Sequence, residues 1–145
     1  MKYFTMNQFA IALEATALVM PKRMHLRLYE VAEFVKKEAE SYIGHPQDDW
    51  DKLEESTIAL KQRLGFTGGP LYRTGVMKES FSIRMRPFES IVESFNRALF
   101  FHETGTMYMP KRPVLSRAVM LNKDKILAIM GGAVYPLFTK SHVGY

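Results

Sequence analysis

With 145 residues, 47% of them hydrophobic, the chain has the length of one domain and enough apolar material for a core, which excludes a disordered polymer. It contains no cysteine, which excludes disulfides, cysteine metal sites and cysteine nucleophiles and fits assembly in a reducing cytoplasm. No uninterrupted run of about 18 apolar residues marks a membrane-crossing helix.

Twenty Lys and Arg against fifteen Asp and Glu give a net charge of +5, unevenly spread. Residues 30–55 hold nine acids against three lysines, a net of −6, which leaves about +11 for the rest. Such segregation fits an acidic face meeting the basic face of a neighbouring subunit, and it equally fits solvated surface.

In residues 5–20, Met6, Phe9, Ala10, Leu13 and Ala17 share one helical stripe. Asn7, Gln8 and Glu14 interrupt the apolar run, so the segment reads as an amphipathic helix rather than a leader peptide. Pro21 is expected to end it, because proline removes a donor and disfavours helical geometry at Met20. A second helix is expected over about 24–43. Its apolar face is Leu28, Val31, Ala32, Val35, Ala39 and Tyr42; Glu30, Glu33, Lys37 and Glu40 lie opposite, and Gly44 closes it.

Residues 45–73 are the least regular. Asp48 or Asp49 can cap a short helix that begins near Trp50, and Thr67 to Pro70 read as a loop. Ser80 to Arg86 alternate strictly, with Phe81, Ile83 and Met85 on one face, which predicts a half-buried strand. Pro87 turns the chain and 89–94 returns antiparallel. Asn96 then caps a short helix over Arg97 to Glu103, ended by Gly105 in left-handed geometry. Met107 to Met109 are expected to be extended before Pro110.

Pro113 suits the first turn of a long last helix running to about residue 131. Leu115, Ala118, Val119, Ile126, Ile129 and Met130 share one of its faces. Met120, Leu121 and Leu127 fall off that face, so the helix is apolar on more than one side and these three are candidate subunit contacts. The segment 134–145 is apolar without periodicity and is expected to dock, with Tyr135 and Phe138 as further candidate contacts. The expected fold is a single α+β domain over 1–145: a small antiparallel sheet packed with N-terminal helices and a long C-terminal helix.

Catalytic patterns fail when tested. His102-Glu103 would start a zinc-protease helix, but residue 106, where the second His belongs, is Thr. Asp48, Asp49 and Asp51 with His45 lack the glycine and terminal glutamate of a calcium loop. Gly65, Gly68 and Gly69 lack the Gly-Lys-Ser/Thr ending of a phosphate loop, and no nucleophile-elbow glycines flank Ser80 or Ser82. The expectation is therefore a non-enzyme with no catalytic, metal or cofactor residues. Arg73, Lys78, Arg84, Arg86, Lys111, Arg112 and Arg117 could meet phosphates without reading sequence, which keeps a basic nucleic-acid-binding module as the alternative class.

Three blocks in order then carry a resemblance. The first is Ile43-Gly44 followed by Trp50, Leu53, Thr57 and Lys61. The second is Pro70-Leu71-Tyr72-Arg73-Thr74-Gly75-Val76-Met77 with Ser80. The third is His102-Glu103, Gly105-Thr106, Met109-Pro110, Arg112-Pro113 and Leu115. Together they span residues 43–115 and resemble the virion-morphogenesis or tail-completion family of tailed phages. That family is similar to minor tail proteins of Mu-like phages and to neck and tail-terminator proteins of siphophages. Val76, Phe81, Lys111 and Val114 depart from its usual residues.

The resemblance implies a tail-terminator-like fold and a structural protein of the virion neck or tail, assembled in the host cytoplasm. It implies a homo-oligomeric ring, a hexamer by analogy, around the DNA channel, where nonspecific contact with DNA is possible. Its partners would be other neck proteins (a portal adaptor or stopper) and the tail-tube protein, with no membrane. The matched residues are given fold-determining roles. Trp50 anchors the irregular segment, Gly105 reverses the chain, Pro110 and Pro113 stiffen the connection, and Glu103 and Arg112 stand where they could pair across the turn.

Overall fold

A computed structural model describes residues 5–66 and 68–133. The fold is α+β. In chain order it has α1 (Met6–Tyr42), α2 (Glu55–Arg63), a 3₁₀ turn (Lys78–Ser80), β1 (Phe81–Arg86), β2 (Glu89–Ser94), α3 (Arg97–Thr104), α4 (Leu115–Leu121) and α5 (Lys123–Gly131).

The two N-terminal helices expected from Pro21 are one helix of 37 residues with the proline inside it. Thr5 opens it with a capping box: its hydroxyl accepts from the Gln8 amide at 3.3 Å, and the Gln8 side chain accepts from the Thr5 amide at 3.0 Å. Pro21 leaves the Ala17 carbonyl without its helical donor. Both residues lie on an exposed surface, where water can serve that carbonyl, so the helix continues. Only the C-terminal part of α1 is buried, through Ala32, Val35, Ala39 and Tyr42. Ile43 is extended, Gly44 reverses the chain at φ +92°, and its amide donates to the Pro70 carbonyl at 2.8 Å.

The strand pair forms as expected, with Phe81 opposite Ser94 and Arg86 opposite Glu89. Pro87 and Phe88 alone make the turn. Proline holds φ near about −65°, and Phe88 follows at φ +60°. That is the type II pattern, which asks for glycine at the second position and suits strand twist less well than the primed turns. A side chain in this region costs about 1–2 kcal/mol.

The core gathers Val35, Ala39, Tyr42, Ile43, Trp50, Phe81, Leu99, Val114 and Ala118. Helix α1 packs on both strands, α4 and α5. Three further expectations are corrected. Helix α2 starts at Glu55 rather than near Trp50, without a side-chain cap, because the Trp50 ring is drawn into the core and Asp49 is engaged by Arg117. Met107 to Met109 do not run extended, since reciprocal Thr106–Met109 backbone bonds at 2.9 and 3.3 Å close a tight turn.

The long C-terminal helix is also absent; α4 and α5 break at Asn122, at φ −110° and ψ 20°. The Asn122 side-chain amide donates to the Ala118 carbonyl at 3.0 Å, replacing the backbone donor that an unbroken helix would use.

Candidate functional site

The matched residues assemble into two junctions. In the first, Asn96 caps α3 by accepting from the Ala98 amide at 2.9 Å, and Gly105 ends the helix. Gly105 adopts φ +74° and ψ 171°. This is positive φ as expected, but in the extended rather than the helical left-handed region, which is essentially reserved for glycine. A Cβ there would also come within 3.2 Å of Lys111.

The chain folds back so that the Arg112 amide donates to the His102 carbonyl at 2.7 Å. The Arg112 side chain is buried, and its Nη2 donates to the Asp51 carbonyl at 3.0 Å. It does not pair with Glu103. That carboxylate accepts instead from the amides of Val114 (2.7 Å), Leu115 and Ser116 (3.4 Å) and from the Ser116 hydroxyl at 2.8 Å. Val114 offers α4 no side-chain cap, so the helix start has orphan amides and positive dipole for the carboxylate to satisfy. Pro113 lies two positions before α4 rather than in its first turn. Burial, and then the nearby Arg112 guanidinium, hold the His102 imidazole below its usual 6.5.

Trp50 sits beside this junction in the core, 7% exposed. Thr106 closes the exposed turn described above, its hydroxyl accepting from the Tyr108 amide at 3.3 Å. Pro110 is exposed.

In the second junction, Lys61 donates to the carbonyls of Gly68 and Gly69, each at 2.7 Å, and burial lowers its pKa. Gly69 is packed so that a Cβ would fall 2.1 Å from the Gly44 carbonyl oxygen. Lys61 thus ties α2 to the loop that meets the end of α1. Between α2 and this loop lies an open groove of about 480 Å³, with Leu53, Ile58, Lys61, Gln62 and Phe66 in its lining.

Leu71 is half-buried against the core at φ +63°. Gly75 turns at φ +85° beneath the Tyr72 ring. Ser80 is fully buried, with its hydroxyl 2.7 Å from the Met77 carbonyl and 2.6 Å from the Ser94 hydroxyl. Thr57 and Thr74 are exposed and join neither junction.

Of the candidate contacts, Met120, Leu121 and Leu127 are exposed at 76%, 63% and 58%. Tyr135 and Phe138 lie outside the described residues, as does the expected docking of 134–145. Sequence reasoning missed Phe88, 65% exposed at the hairpin tip, and the exposed Met107 and Tyr108 of the 106–109 turn. The signal for Phe88 was present in the pairing of Pro87 with a bulky residue where a type II turn asks for glycine.

The basic residues are largely committed. Arg84 pairs with Glu93 at 2.5 Å, Arg86 with Glu89 at 3.5 Å, and Arg117 with Asp49 while lying over the Tyr42 ring. Arg112 is buried and Arg73 stacks on Phe66. The acids of α1 are partly neutralised too, by the Arg27–Glu30, Lys37–Glu33 and Lys36–Glu40 pairs. Among the described residues no helix is long and apolar enough to cross a membrane. Neither family models, nor curated proteins, nor solved structures give a match to the chain.

Proposed function

We propose that this chain is a structural subunit of a tailed-phage neck. In this reading it completes or terminates the tail and helps join it to the head, as a tail-terminator-like, non-enzymatic ring of identical subunits, hexameric by family analogy, around the DNA channel. Other neck proteins and the tail tube would be its partners, and the virion its location. The observation that carries the reading is what the matched residues do. Trp50, Lys61, Ser80, Glu103, Gly105 and Arg112 all fix the chain's path, by core packing, capping, loop closure or positive φ. Residues with such roles suit a part whose work is shape.

The exposed apolar side chains of α4 and α5 support the same reading, since a closed ring needs two different complementary faces on each subunit. Commitment of Arg84, Arg86, Arg112 and Arg117 to partners within the chain leaves less free charge for a phosphate-binding surface, which disfavours the nucleic-acid alternative. The test is genetic and structural. Phage assembled without this protein should accumulate heads and tails that fail to join or tails of abnormal length, and a map of the intact neck should contain it as a ring. Normal virions made in its absence would overturn the proposal.

A further inference from the structure

The hairpin tip presents a bulky aromatic in a place built for glycine. Phe88 follows Pro87 in a two-residue turn, at φ +60°, with 65% of its surface exposed. A phenylalanine with positive φ is an outlier, and here no core packing within the chain accompanies it. Elsewhere on the same chain lies a feature of the opposite shape. The groove beside α2 has apolar walls from Leu53, Ile58 and Phe66 and a volume of about 480 Å³. A closed apolar cavity of about 150 Å³ already accommodates a benzene ring. Helix α2 itself buries no residue, so its apolar side chains are open to a partner, and Phe88 does not line the groove.

We infer that Phe88 of one copy inserts into the α2 groove of a second copy. Knob and groove are different surfaces, so the contact is head-to-tail and propagates around a ring. An apolar ring entering a pre-formed apolar groove gains by leaving water, and a single buried aromatic anchor commonly dominates such an interface. The strained turn gives the knob a fixed direction, because Pro87 removes the backbone freedom that would otherwise be lost on docking. This inference rests on the ring reading and names the contact that would close the ring.

The test uses the full chain, native mass spectrometry and sedimentation, with two variants. Phe88→Gly removes the knob and leaves the groove. Ile58→Arg obstructs the groove and leaves the knob, at a residue already 41% exposed. Each variant alone should self-associate at least about tenfold more weakly than the wild type. Mixed one to one, the two should form heterodimers that grow no further, since only one knob and one groove remain usable. Thermal melting separates assembly from folding: Phe88→Gly should melt no lower than the wild-type monomer, whereas a residue needed for folding would lower it.

If the wild type forms rings and Phe88→Gly forms them equally well, the knob-and-groove contact is wrong and the ring reading stands. A wild type that remains monomeric at every concentration overturns both.

Discussion

Two residues other than glycine carry positive φ among the described residues, Leu71 at 63° and Phe88 at 60°, and their surroundings differ. Leu71 follows Pro70, whose carbonyl accepts from the Gly44 amide, and its side chain packs against the core. Phe88 follows Pro87 at the end of a two-stranded hairpin and projects into solvent. The backbone cost is similar, about 1–2 kcal/mol in each case. At Leu71 it is offset inside the chain, because burying part of a leucine contributes about the same amount. At Phe88 nothing within the chain offsets it. Strain matched by packing is a structural feature, whereas strain left unmatched directs attention to something outside the chain.

The largest effect that could break this comparison is at Leu71. Leu71→Ala removes the packing and keeps the strained backbone, so urea unfolding should show a loss of about 2 kcal/mol, the low end for a half-buried leucine. Leu71→Gly should be no less stable than Leu71→Ala, because glycine relieves the φ penalty. An unchanged midpoint for Leu71→Ala would mean that packing is not what holds this turn.

Next comes Glu103, which belongs with Leu71 on the internally tied side. Glu103→Ala leaves the amides at the start of α4 without their acceptor and should cost about 1–2 kcal/mol. Glu103→Gln, which keeps one acceptor oxygen and loses the charge, should fall between. Hydrogen exchange should accelerate at Val114 and Leu115 and remain unchanged across the hairpin.

The effect at Phe88 is smaller and of opposite sign. Phe88→Gly should stabilise the isolated chain by about 0.5–1 kcal/mol, since relief of positive φ outweighs the greater freedom of glycine in the unfolded chain. A fall in urea midpoint would show that Phe88 is packed after all and would erase its contrast with Leu71.

Local rules made part of this architecture legible. The hairpin followed from strict alternation at Phe81, Ile83 and Met85, and the ends of α3 followed from Asn96 and Gly105, because each is decided by residues within a few positions. Where the outcome depended on distant partners or competing local bonds, the reading failed. Pro21 is a breaker by propensity, but its orphan carbonyl lies on an exposed surface, so the helix passes through it. Asn122 looked neutral in an apolar helix, yet its side chain takes the Ala118 carbonyl and splits that helix. The turn supports a geometry in which Glu103 reaches α4 rather than Arg112, and nothing in the spacing of those two residues reveals that α4 lacks a cap of its own. Trp50 was legible as a large apolar residue in a polar stretch. Lys61 was noticeable only as a motif residue, since its two carbonyl acceptors come from a loop seven and eight positions away.

The smallest effect concerns pH and separates the two regions once more. His102 lies in the tied junction, where burial and then the Arg112 guanidinium hold its pKa below 6.5. The folded chain therefore resists protonation that the unfolded chain accepts, so the unfolded state binds more protons and stability rises with pH. The contribution is fully present above about 6.5, the unfolded value, and is lost as pH falls towards the depressed folded value. Melting temperature should decline between pH 7 and pH 5, ahead of the range where most carboxylates titrate. His102→Gln should flatten that decline, while Phe88→Gly should retain the full wild-type slope because the hairpin tip does not touch this group. A Phe88→Gly slope as flat as that of His102→Gln would link the two regions and undo the distinction between them.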